Sequence, residues 1–368
     1  MVKNLPWMHN KKLIEEVKPE FRFDGTRDFY EWQSEGHKKL ASLLGLHNIK
    51  KPEDDKFTIE YKRKCDDFTE IRFTIESEEG YSFPSVMLVP HNIKAPAPVM
   101  LCLQGHSTGM HISLGRIIHA PDEEDIRDGD RDYAIRAVKE GCIAVAIEQR
   151  NFGECGSRSN GDPNCHVSTM TALLLGRTTI GERVHDISCV IDALLEHFDI
   201  IDKDKIMLMG NSGGGTATIY AAAIDKRISL AIPSCSVCTY KTSIAAMNHC
   251  VCNFVPDIAK YFDMGELGGL IAPRALVVVN GIEDDIFPDD GVREAYSNIS
   301  QIYAAAGAPE RCRLVTGKGG HRFYADITWP HVHELAGIWY GKAYRRLKAP
   351  HVAQILRDAN FCCHFLGH

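Results

Sequence analysis

Short apolar runs recur along the last two thirds of the chain, separated by stretches with a helical repeat of apolar positions. The runs are "VMLCLQG" from Val99, "CIAVAIEQ" from Cys142, "KIMLMG" from Lys205, "SLAIPS" from Ser229, "ALVVVNG" from Ala275 and "CRLVTG" from Cys312. Between them lie "DYAIRAVKEG", "GERVHDISCVIDALLEHF" and "VREAYSNISQIYAAAG". Strands apolar on both faces, joined through helices, predict a mostly parallel central sheet flanked by helices, an α/β fold. The first 95 residues read differently. "HNKKLIEEVK" and "TRDFYEWQSEGHKKLASLLGL" predict helices, and alternation over Phe57 to Tyr61 and Thr69 to Ile75 predicts strands joined by turns. The turn-rich "NIKAPAP" links this lead-in, residues 1–95, to the main domain, residues 96–368.

In such a sheet ligands collect beyond the carboxyl ends of the strands, which directs attention to the residues after each run. "GNSGG", Gly210 to Gly214, follows one strand and opens a helix, so it fits G-x-S-x-G in its required context. Ser212 is the candidate nucleophile. A serine hydroxyl needs a base to remove its proton, and "TGKGGHRFY" supplies His321 on a late loop. "VVVNGIEDDIFP" supplies the carboxylate that would hold that base, either Asp284 or Asp285, between which spacing does not choose. Each residue alone has an ordinary structural reading, as a helix cap, a turn acid or a loop histidine. Together they follow their own strands in the order serine, acid, histidine. An oxyanion needs two donors: the backbone N–H of Gly213 and, in "QGHSTGMH" after the first run, that of His106.

These residues resemble the α/β-hydrolase superfamily, and within it the dienelactone-hydrolase-like and acetyl xylan esterase-like branch. The matching pieces are "QGHSTG", "IEQRNFGE", "LLGRTTIGERVHDI", "GNSGGG", "HCVCNFVPDI", "DMGELGGLIAPRALVVVNGIEDDIFP" and "GGHRFYAD", spanning roughly residues 95 to 335. The resemblance implies the α/β-hydrolase fold, with Ser212 as nucleophile, His321 as base and Asp284, three residues after Gly281, as the acid. It also implies a serine carboxylesterase of short-chain acyl esters acting through an acyl-enzyme, with acetyl groups on sugars among its substrates. Gln104-Gly105 stands where many relatives have His-Gly, and Asn211 and Gly213 flank the serine where the best-known deacetylases carry Gly-x-Ser-Gln-Gly. Lactone hydrolysis, peptide hydrolysis and a non-catalytic binding role are the rival readings.

Around this core, Glu148 and Arg150 follow a strand and are expected to form an ion pair shaping a substrate pocket, with His111 a further pocket candidate. Trp329 and Tyr324 are weaker candidates. Arg177, Arg183 and Asp186 are expected to brace the loop before the nucleophile. The long stretch from Cys235 to about Leu270 interrupts the strand–helix rhythm and reads as a partial lid.

Composition narrows the reading. A formal charge of -7 argues against a nucleic-acid surface, which needs a basic stripe. No run approaches a membrane span, and the charged, proline-broken start does not read as a signal peptide, so a cytoplasmic protein is expected. Thirteen cysteines are too diluted for a disulfide framework. "CSVC" and "HCVC", carrying Cys235, Cys238, His249, Cys250 and Cys252, have partly zinc-like spacing, but neighbouring residues in "HCVC" cannot all face one metal, and they read as free thiols near a site. There is no H-E-x-x-H, so no metal and no cofactor are expected. The partner is a small ester, an acetylated sugar being the candidate. Assembly into a homo-oligomer is left open, as is whether the tail from residue 344 packs on its own subunit.

Overall fold

A computed structural model describes residues 5–53 and 56–338. Nine strands form one sheet in the order β1-β2-β3-β5-β4-β6-β7-β8-β9. They are β1 Phe57–Lys64, β2 Phe68–Glu78, β3 Tyr81–Pro90, β4 Ala97–Leu103, β5 Ile143–Ile147, β6 Ile201–Asn211, β7 Ile228–Ser234, β8 Ala275–Gly281 and β9 Cys312–Gly317. The helices are α1 Pro6–Glu16, α2 Phe29–Leu43, α3 Asp122–Arg127, α4 Tyr133–Lys139, α5 His166–Leu174, α6 Thr179–His197, α7 Gly213–Ile224, α8 Ile258–Tyr261, α9 Met264–Gly269, α10 Asp289–Ala305 and α11 Ala325–Ala336. Strands β4 to β9 are mutually parallel where they pair, whereas β1, β2 and β3 pair antiparallel and β3 meets β5 antiparallel. The α/β-hydrolase fold read from the sequence is the observed one.

The apolar runs are strands because both of their faces are covered. In β4, Val99, Leu101 and Leu103 enter one core, and Met100 and Cys102 enter the other; in β6, Ile206 and Leu208 oppose Met207 and Met209. The first core is closed by α2, α6, α7 and α10, the second by α4 and α11. Continuous hydrophobicity is therefore the required pattern, not alternation. Helix α6 starts where the Thr178 side chain accepts from Gly181 N at 2.9 Å, a conventional N-cap. Helix α7 is buried along almost its whole length, which accounts for its small residues: Gly, Ala and Thr let it lie close against β6, β7 and α6.

The lead-in belongs to the same hydrophobic body. Trp32 of α2 is fully buried in the first core and donates its indole N–H to Phe21 O at 2.9 Å, and Gln33 of the same helix donates to Leu270 O at 2.9 Å. Its strands extend the sheet through β3, paired with β5 from Ser85↔Ile147 to Leu88↔Ala144. The "NIKAPAP" segment is shorter as a link than its turn residues suggest, since β4 already begins at Ala97. Helices α5 and α11 are not among the elements read from the sequence; α11 carries Pro330 inside it, and α5 ends with Leu174 exposed. The tail from residue 344 lies outside the described residues.

Candidate active site

Strand β4 sits where the order reverses, with β5 on one side and β6 on the other, so the loops after β4, β6, β7, β8 and β9 share one edge. Ser212 is the single residue between β6 and α7, with φ +56° and ψ -124°, a backbone conformation costly for any residue with a side chain. Close packing enforces it. A Cβ on Gly210 would lie 2.6 Å from Gly214 O, and one on Gly214 would lie 2.6 Å from Gln104 O, so the turn tolerates no side chains there. A Cβ on Gly105 would meet Asn211 O at 2.7 Å and Ser212 Cβ at 2.9 Å, which places the loop after β4 directly on the serine. Asn211 is buried and accepts from the Ser234 hydroxyl at 2.8 Å, and Ser212 N donates to Ser234 O at 2.9 Å.

Asp284 and His321 meet. His321 Nδ1 lies 2.8 Å from Asp284 Oδ2, while Asp284 Oδ1 accepts from Ile286 N at 2.9 Å and Phe287 N at 3.1 Å. Asp285, its neighbour, points to solvent and is exposed. Burial pushes the Asp284 carboxyl up, but the His321 hydrogen bond and charge, with the two backbone N–H groups, outweigh it and leave it below its ordinary value. The His321 ring stacks on Phe287 with centroids 5.9 Å apart. Cys235, the residue after Ser234, has its thiol within 4.8 Å of both the Asp284 carboxylate and a His321 ring nitrogen, so the Ser212 turn and the Asp284–His321 pair are joined through two consecutive residues. The Ser212 hydroxyl itself hydrogen-bonds to no described residue. Hydrogen bonds of this kind commonly tighten only around a bound substrate.

The two residues read as backbone donors are in contact. A Cβ on Gly213 would lie 2.9 Å from the His106 ring, and neither Gly213 N nor His106 N donates to any described group. Gln104 pins this loop: its side-chain amide donates to Ser113 Oγ at 2.7 Å and Arg131 O at 2.8 Å, and its backbone carbonyl accepts from the Gln149 side chain.

The expected Glu148–Arg150 ion pair does not form. Glu148 is buried and turns to backbone, accepting from Met110 N at 3.1 Å and Glu154 N at 3.2 Å. Burial pushes its carboxyl up to about 8. Arg150 is held by Asp186 at 2.7 Å and Glu78 at 2.7 Å and lies over the Tyr81 ring at 4.0 Å. Arg177 shares the same network through Glu78 and Glu182, at 2.6 and 2.9 Å. His111 pairs with buried Asp122 at 2.8 Å. Trp329 is buried in the second core and stacks on His333, whereas Tyr324 donates to Gly320 O at 2.8 Å beneath the His321 loop. His249 contacts the site from the 235–270 segment: its ring is 5.6 Å from Phe287, and burial, then the nearby His106 and His321, hold it below its ordinary value. Nothing in the chain's local pattern marks His249 for this position beyond its place in "HCVC".

The cysteines separate into groups. Cys235 lies against Asp284 and His321, Cys238 bonds with Thr242 at 3.1 Å, and Cys250 and Cys252 join Cys165 and the His106 ring. None of the described cysteines is in a disulfide.

The model of the Abhydrolase family matches residues 8–316. The chain belongs to this family. The Bacillus subtilis protein YtaP, provisionally named a hydrolase, is 25% identical over 241 residues, 65% of this chain and 77% of that protein. Among solved structures, a Bacteroides fragilis protein provisionally named an acetyl xylan esterase superposes with a TM-score of 0.72 at 18% identity, covering 85% of this chain and 82% of that one. A glucuronoyl esterase from Solibacter usitatus gives 0.64 at 16% identity, covering 89% and 100%. Acetyl xylan esterase 1 from Thermoanaerobacterium gives 0.58 at 15%, covering 89% and 98%. These likenesses are of fold, over most of the chain. Among the described residues no helix is long and apolar enough to cross a membrane.

Proposed function

We propose that this chain is a serine ester hydrolase in which Ser212, His321 and Asp284 form the catalytic triad. The observation that carries the reading is the Asp284–His321 pair at 2.8 Å, set on the same strand edge as a serine forced into a strained strand-to-helix turn. His321 Nε2 takes the Ser212 proton as the hydroxyl attacks the ester carbonyl, and the oxyanion lies between the N–H groups of Gly213 and His106, each worth about 3 kcal/mol in the transition state. The imidazolium gives that proton to the leaving alcohol. Water, deprotonated by the same ring, then releases the acid from Ser212, and Asp284 keeps Nδ1 protonated and the ring in place. Glu148, Arg150 and His111 act in this scheme by holding the surrounding loops, because their side chains are already engaged with backbone and buried acids.

The substrate class proposed is a short acyl ester on a carbohydrate, supported by fold neighbours named for acetyl xylan and glucuronoyl esters. The 235–270 segment acts as the cover, since His249 reaches the Asp284–His321 side of the site. The test is hydrolysis of p-nitrophenyl esters from acetate to octanoate by wild type and Ser212→Ala, with fluorophosphonate labelling of both. Short-chain activity and labelling, both lost in the variant, support the proposal. Equal rates in the two proteins, or an unlabelled wild type, overturn it.

A further inference from the structure

Three cysteines and one histidine from separate parts of the chain converge behind the loop that follows β4. One donor atom from each of His106, Cys165, Cys250 and Cys252 lies within 4.8 Å of every other, and His106 Nε2 is 3.2 Å from Cys252 Sγ. Donors around a tetrahedral zinc, with Zn–S about 2.3 Å and Zn–N about 2.0 Å, stand roughly 3.5–3.8 Å apart. The four groups are therefore already gathered to nearly that spacing, and their number is that of a closed structural site. His106 follows β4, Cys165 precedes α5, and Cys250 and Cys252 come from the 235–270 segment. Cys250 caps the short 3-10 turn Val251–Asn253, which carries Cys252, and the thiols of both residues reach the cluster. His249, one residue before Cys250, turns instead to the Ser243 hydroxyl at 3.2 Å.

The charge around the cluster points the same way. Arg183 is buried, 1% exposed, and among the described residues no carboxylate pairs with it. Its guanidinium lies over the Phe152 ring at 4.2 Å, with Nη1 3.6 Å from Cys252 Sγ and Nη2 3.9 Å from Cys165 Sγ. A buried cation without an anion is strongly unfavourable. Neutral thiols leave it so. Three thiolates around a dication carry a net charge of -1, which the guanidinium balances.

We propose that His106, Cys165, Cys250 and Cys252 bind one zinc ion in a closed Cys3His site that ties the loop after β4, the start of α5 and the 235–270 segment together. Thiolate and imidazole donors in a tetrahedral arrangement select zinc among the common divalent ions. On binding, the three thiol protons leave to solvent and their sulfur lone pairs form the metal bonds, with no change of oxidation state. All four positions are filled by protein, so the ion has no place for a water or substrate and its role is to hold structure. Nothing in the site depends on the ester-hydrolase reading. One consequence does rest on it: the metal-held ring lies against Gly213, so the clamp fixes the backbone N–H of His106 as an oxyanion donor.

The full chain, purified under reducing conditions without added chelator, is assayed for metal by mass spectrometry and then exchanged with Co2+. The expected result is about one zinc per chain, and for the cobalt form thiolate charge-transfer absorption with intense visible bands of a tetrahedral ion. Cys165→Ser and Cys250→Ser lose most of the metal, Cys250→His keeps it, and Cys238→Ser, outside the cluster, is unaffected. Far-ultraviolet circular dichroism of each variant separates lost metal from lost fold, and the Cys250→His variant tests the donor set without removing a ligand. Wild type free of zinc and giving no thiolate–cobalt bands overturns the proposal, as does a Cys250→Ser protein that keeps its zinc, or a disulfide among the three cysteines found by peptide mapping. Ser212→Ala separates the two readings: it loses ester hydrolysis and keeps its zinc.

Discussion

Asp284 and Glu148 are both buried carboxyls just beyond strand ends on the same edge of the sheet, and both accept two backbone N–H groups. Yet one lies below its ordinary value and the other is raised to about 8. Burial acts on both in the same direction. The difference is His321, whose ring meets Asp284 at 2.8 Å, whereas Glu148 has only backbone at its oxygens. An acid at a strand end is therefore not enough to make a triad candidate; it also needs an imidazole in hydrogen-bond reach on the edge that carries Ser212, which the His111–Asp122 pair does not supply.

The largest effect expected is from His321→Ala, which removes the proposed base and Asp284's partner together. Ester hydrolysis should fall by about 10^6-fold, as for loss of a triad base elsewhere; a loss below about tenfold breaks the comparison at its centre. Asp284→Asn keeps the shape but not the charge, and kcat should fall by about 10^4-fold. Asp285→Asn, one residue on and exposed, should change kcat less than twofold, and equal losses from the two variants would reopen the choice of acid.

Gly105→Ala comes next. Its methyl would press on Ser212 and Asn211 and displace the His106 N–H, so kcat should drop by about 10^2-fold with KM little changed. A KM effect alone would mean that the loop binds substrate and does not hold the oxyanion.

Glu148→Gln is the mildest for activity and the most informative for stability. The Glu148 proton is held to about pH 8 in the folded chain but leaves near 4.5 when unfolded. The folded state then binds more protons between those values, so this group's contribution is full below about pH 4.5 and is lost as pH rises towards 8. Relative to Glu148→Gln, wild type should lose about 1 kcal/mol per pH unit from pH 5 to 8 in denaturant titrations. Parallel curves would show that Glu148 is charged in the folded chain, like Asp284.

The sheet was legible because its buried runs carry the signal on both faces; Val99 to Leu103 could hardly be anything but a central strand. The serine turn was legible for a local reason, since Gly210 and Gly214 record the close approach of the loop after β4. Asp284 against Asp285 was not legible from spacing, because orientation at the end of β8 is set by contacts with Ile286, Phe287 and His321. The same holds for Arg150, whose partners Glu78 and Asp186 are 72 and 36 residues away in the chain. Cys165 escaped notice because its neighbours in space lie on other loops, and a motif search sees only neighbours in sequence.

Strand β1 closes one side of the sheet, and apart from Phe57 its residues are exposed. Its Glu60, Lys62, Arg63 and Lys64 bring both charges to that border, and its pairing with β2 is irregular between Ile59 and Tyr61. Charge and a local kink are what discourage another chain from adding itself to an open sheet border. Behind it, β2 carries buried Phe73 and Ile75. Shortening the chain past β1 is thus expected to uncover a more adhesive ribbon, because the polar outermost strand leaves a border that a second copy has little to gain by joining.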